Sequence, residues 1–153
     1  MRRNRGFTLI ELMVVVTLVA LAAAGVTLAL RDDGSTRLER EALRLSALIE
    51  SARAQSRTSG LPVVWRSLPQ GFEFVGLVAP RGGTASRDSL SGPRPWLSAE
   101  TVAQVTQPPG ALTLVLGPEP LIAAQRLVLL QGDRRLTLAT DGLSPFAVVP
   151  ETP

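Results

Sequence analysis

In RRNRGFTLIELMVVV an apolar run begins at Phe7 with Glu11 inside it, and a carboxylate in that setting is the clearest chemical signal in the chain. An acid at the centre of a membrane helix costs about 2.5–3.5 kcal/mol on insertion scales. Such acids are usually paired and functional. The competing reading is a glutamate that merely snorkels to the headgroups. Other reactive types are scarce. The sequence has no cysteine, no histidine and no tyrosine. A Ser/His/Asp triad, a Cys/His pair, a disulfide and a thiolate zinc site are therefore excluded. Asp133 and Asp141 stand beside glycine, where turn chemistry accounts for them. Asp88, Asp133 and Asp141 lack the spacing of an EF-hand calcium loop. No catalytic residue, cofactor or metal is expected, and the chain does not read as an enzyme.

Charge points the same way. All 16 basic residues are arginine, and Arg2, Arg3 and Arg5 precede the apolar run. The other 13 arginines balance 13 acids. The excess positive charge thus belongs to a leader rather than to a nucleic-acid-binding face. Hydrophobic residues make up 45% of the chain, enough to build a core.

Glu11 needs an element to hold it. From Phe7 to Leu30 a helix would run about 36 Å, against a bilayer core of roughly 30 Å. The leading arginines put Met1 in the cytoplasm and the chain after Arg31 outside. A plain anchor, or a signal peptide cut after Ala22-Ala23-Ala24, would use the same run but would leave Glu11 unexplained.

Asp32-Asp33-Gly34-Ser35 reads as a break, followed by a capping box of Thr36 and Glu39. Leu38, Ala42, Leu45, Leu48, Ile49 and Ala52 then recur at helical spacing up to a stop at Gly60 and Pro62. Arg37, Arg40, Glu41, Arg44 and Glu50 fall largely off that stripe, with Arg37 and Glu41 able to pair. Beyond Gly60 the period shortens. LPVVWRS, FEFVGLV, ALTLVLG, RLVLLQG and RRLTLAT read as strands, with PFAVV as a last short one. Gln131-Gly132-Asp133 marks a tight hairpin. VAPRGGTASRDSLSGPRPW reads as a long exposed loop. Its Arg81, Arg87 and Arg94 suit solubility better than phosphate contact, because aromatic residues are nearly absent. Trp96 reads as a core anchor. The expected fold class is α+β, one long helix followed by an antiparallel, sandwich-like β domain.

Gly6, Phe7, Thr8, Leu9, Ile10 and Glu11 after a short arginine-rich leader resemble the class III signal of type IV pilins and pseudopilins. SARAQSRTSGLPVVW, the Pro95-Trp96-Leu97 run and DGLSPFAVV are similar to the H-type minor pseudopilin family of the type II secretion system. That resemblance implies a prepilin leader over 1–6, a transmembrane helix over 7–30, a periplasmic helix extension over 31–59 and a β-rich periplasmic domain over 60–153. It implies cleavage between Gly6 and Phe7 by a membrane peptidase that also methylates the Phe7 amine. Glu11 would pair with that amine on a neighbouring subunit during filament assembly. The implied partners are the prepilin peptidase, the major and other minor pseudopilins and an inner-membrane assembly platform. The implied role joins a filament tip complex to its body. A minor pilin of a type IV pilus is the alternative.

Overall fold

The computed structural model describes residues 8–77 and 90–150, without the side chains at 24 and 26–35. Two compact units emerge, Met1–Thr36 and Arg37–Pro153. One helix, α1 (Leu9–Ser59), is followed by eight strands. The first four are β1 (Val64–Leu68), β2 (Gly71–Val75), β3 (Arg94–Pro95) and β4 (Thr101–Gln107). They are followed by β5 (Thr113–Val115), β6 (Gln125–Gln131), β7 (Arg134–Thr140) and β8 (Ala147–Val149). The α+β order is thus as the sequence implies.

α1 does not start where a capping box places a helix start. Helical hydrogen bonding covers residues 32–36, so Thr36 is not an N-cap. Good helix formers beyond this weak stretch, Leu28, Ala29 and Leu30 before it and Glu39, Arg40 and Glu41 after it, carry the helix through one glycine, whose cost is only about 1 kcal/mol. The helix does end at the expected place. Gly60 takes φ +69° and donates its N–H to the Ser56 carbonyl at 2.9 Å, a left-handed cap.

The strands form two antiparallel sheets with orders β3-β2-β1-β5 and β4-β6-β7-β8. β1 and β2 close through a two-residue turn with Leu68 opposite Gly71. That register sets Trp65 beside Phe74 on one face. Phe72 meets Phe74 edge-on at 5.8 Å and Trp96 at 4.8 Å, so Trp96 is a core anchor. β6 and β7 close through Gly132 and Asp133, as the hairpin signal implies. Leu127, Leu129 and Leu138 supply the buried face of that sheet. Within the second unit, Leu38, Ala42, Leu45, Ile49 and Ala52 on α1 join both sheets in one core.

Two expectations need correction. β4 reads as no strand in the sequence, because its buried positions hold Thr101 and Ala103 while Val102 points outward at 53% exposure. The usual alternation is inverted there. The other concerns the expected loop over 78–96. Its end is structured: Leu90 and Trp96 are buried, Ser91 bridges to Phe74, and Arg94–Pro95 pairs with β2. Arg81, Arg87 and Asp88 lie outside the described residues.

Gly142 is the tightest test of this packing. It sits at φ +98°, and a Cβ there would meet the Ile122 carbonyl oxygen at 2.0 Å. Gly142→Ala should cost about 2–4 kcal/mol in denaturant unfolding. Gly110→Ala, at φ +78° with nothing within 4 Å, should cost only about 1 kcal/mol.

Candidate functional site

The first turn of α1 is set by Thr8. Its carbonyl accepts from the N–H of Glu11 at 3.1 Å and of Leu12 at 3.2 Å. Its hydroxyl oxygen accepts from the Glu11 N–H at 3.4 Å. Thr8 is therefore the N-cap and Glu11 the third helical residue, where a negative charge favours the helix dipole. Among the described residues, the Glu11 carboxylate has no ion-pair or hydrogen-bond partner.

Its surroundings are apolar. Leu9, Ile10, Leu12, Met13, Val14, Val15 and Val16 are all exposed, and so are Leu18, Val19 and Leu21. A helix apolar on every side is one that some other phase or protein must cover. Among the described residues, no helix is long and apolar enough to cross a membrane. The described side chains from Thr8 to Ala23 would span only about 24 Å. The rest of the expected span lies outside them. Gly6 and Phe7, the expected cleavage and methylation positions, also lie outside the described residues.

The other acids do not gather. Asp133 and Asp141 stand at opposite ends of β7. Among the described residues, no group of three acids could hold a metal ion. Asp141 instead builds its own turn. Its Oδ1 accepts the N–H groups of Ser144 at 2.7 Å and Leu143 at 3.0 Å. Those bonds, that of Ser144 first, hold its carboxyl below the usual aspartate range.

In the second unit, polar residues of α1 grip the ends of both sheets. Glu41 is buried rather than off the stripe, and its partner is Arg44 at 3.0 Å, not Arg37. Glu41 also accepts the N–H of Leu97. Arg44 donates to the Pro95 carbonyl at 3.2 Å and lies over the Phe72 ring at 5.7 Å. One to two turns on, Glu50 accepts the Phe146 N–H at 3.0 Å, and Ser46 donates to the Phe146 carbonyl.

Arg53 completes the set. It is 2% exposed and donates to the carbonyls of Gly142 at 2.7 Å, Pro120 at 3.3 Å and Ser144 at 3.4 Å. Glu50 is its counter-charge at 4.0 Å. Arg53 continues the Leu45, Ile49 row at intervals of four, but its charge hides it from a search for apolar periodicity. Gln125 is hidden in the same way by its polarity. It is in phase with buried Leu127 and Leu129, and its carboxamide bonds both the N–H and the carbonyl of Val115 at 2.8 Å.

Comparison with known proteins bears on the first of these sites. Residues 1–27 match the family model described as the prokaryotic N-terminal methylation motif. The chain is 43% identical over 65 residues to Type II secretion system protein H of Escherichia coli (strain K12). That match covers 41% of this chain and 38% of the relative. No solved structure matches. Both matches lie in part of the chain, which is thus similar there to proteins with the methylation motif and to that secretion protein.

Two outcomes test the local chemistry. Arg53→Met leaves three carbonyls and Glu50 without their cation, and unfolding measurements should show a loss of about 3 kcal/mol or more. Arg53→Lys should not restore it, since one ammonium cannot match the planar fork. Asp141 has a folded pKa below its unfolded value, so its contribution is complete above the unfolded value of 3.8. It is lost as pH falls through the lower folded value. In acid titrations of unfolding, the advantage of wild type over Asp141→Asn should be flat near neutral pH and shrink in that acid window.

Proposed function

We propose that this chain is a minor pseudopilin of the type II secretion system, a structural subunit of a short periplasmic filament. The observation that carries the reading is a Glu11 with no side-chain partner among the described residues, on the first turn of an apolar helix and within residues that match the N-terminal methylation motif. On this reading a prepilin peptidase cuts between Gly6 and Phe7 and methylates the new amine. Glycine before the cut brings no side chain to obstruct the approach of the backbone.

The cut creates a cation at Phe7. A neighbouring subunit's Glu11 then pairs with it as the two helices leave lipid for the filament core. Removing one partner of a buried pair leaves an uncompensated charge, so pairing also fixes the axial register. The apolar helix over 7–30 anchors the subunit in the inner membrane before assembly, with the N-terminus in the cytoplasm. The domain over 60–153 faces the periplasm on the outside of the filament. Its partners are the major pseudopilin, the other minor pseudopilins and the inner-membrane assembly platform. It joins the tip complex to the body.

The test is incorporation of Glu11→Gln. The variant should insert in membranes as wild type does, yet its recovery in sheared filament fractions should fall about tenfold or more, the equivalent of 1.4 kcal/mol. Incorporation equal to wild type would reject the pairing.

A further inference from the structure

A groove of about 310 Å³ lies along the open edge of β5, lined by Thr113, Val115, Glu119, Leu121, Ile122 and Gln125 among others. β5 is the last strand of its sheet. Which of its backbone groups face outward follows from register. The β1–β2 turn makes Leu68 and Gly71 a hydrogen-bonded pair, so Arg66 and Val64 bond toward β2. Trp65 and Val63 therefore bond toward β5, consistent with the Leu116 N–H reaching the Val63 carbonyl at 2.9 Å. Thr113 and Val115, opposite Arg66 and Val64, point their N–H and carbonyl groups away from β1.

Val115 is already served by the Gln125 carboxamide, which stands in for a neighbouring strand. Thr113 is not, since among the described residues its outward N–H and carbonyl have no partner. Beside that pair, Leu121 is 61% exposed and Val115 49% exposed. Among the described residues, Glu119 is the one charged residue on the lining.

We propose that this edge receives an extended segment of another protein by strand addition. The segment exchanges a pair of backbone hydrogen bonds with Thr113, lays alternate apolar side chains against Leu121 and Ile122, and meets Glu119 with an arginine or lysine. Backbone pairing supplies affinity and the flanking side chains supply selectivity. Charge argues against a second copy of this chain as the occupant. A two-fold pairing of β5 with itself would bring a second Glu119 to the seam, while Arg66 on the neighbouring β1 is already paired with Glu73. The groove lies within Arg37–Pro153 and uses none of the N-terminal chemistry, so it stands or falls separately from the filament reading.

The probe is acetyl-Thr-Val-Arg-Val-Thr-amide, titrated into the isotope-labelled full chain in detergent micelles. At saturation, exchange of the Thr113 amide should slow about tenfold or more. N-methylation of the peptide at its central arginine should weaken binding about fivefold, the worth of one backbone hydrogen bond. Glutamate in place of that arginine should also weaken it. Thr113→Pro removes an N–H that the ladder does not use, so the variant should keep its circular dichroism and lose the peptide. Three results would overturn the proposal. The N-methylated peptide binds equally well; the Thr113 amide is unmoved by the peptide at millimolar concentration; or Thr113 is protected without peptide in a self-associated chain.

Discussion

Backbone polar groups at the ends of both sheets close on one face of α1, and two buried charges hold them there. Arg53 takes the carbonyls of Pro120, Gly142 and Ser144, while Glu41 takes the Leu97 N–H and Arg44. Neither charge is tolerable alone in a core, and each is answered by groups from distant parts of the chain. Apolar packing along Leu45, Ile49 and Ala52 gives the helix a face, but packing alone is not directional. The charged contacts fix which turn of the helix meets which loop. Several of the positions that lock the β domain, including the left-handed Gly142, are the ones these side chains touch.

The first turns of α1 obey a different constraint. From Leu9 to Leu21 the large apolar side chains are exposed on every side, and the Glu11 carboxylate among them has no partner among the described residues. A helix of this kind is complete only when something else covers it. Lipid answers the leucines and valines but not the carboxylate. A neighbouring helix bearing a cation answers both, which is why membrane anchoring and filament assembly are read from one stretch of sequence.

Much of the fold was legible because local signals agreed. The alternation of β1, β2, β6 and β7, the glycine stop after Ser59 and the Gly132-Asp133 turn each match the element found. β4 was not legible, since its inward positions carry Thr101 and Ala103 and only tertiary pairing with β6 makes it a strand. Arg53 and Gln125 were hidden for a related reason. A polar residue in phase with an apolar stripe reads as a defect until the carbonyls that receive it are in view. Glu11 was legible from sequence because its oddity lies in chain order alone. The groove beside β5 was not, because it depends on which strand ends the sheet.

The central claim is that the apolar helix begins at a processed Phe7 and that Glu11 awaits its amine. Intact-mass and N-terminal peptide analysis of the chain recovered from native membranes tests this directly. The account expects a chain beginning at Phe7 with a methylated amine. A chain beginning at Gly25, or one retaining Met1 in assembled material, would contradict it.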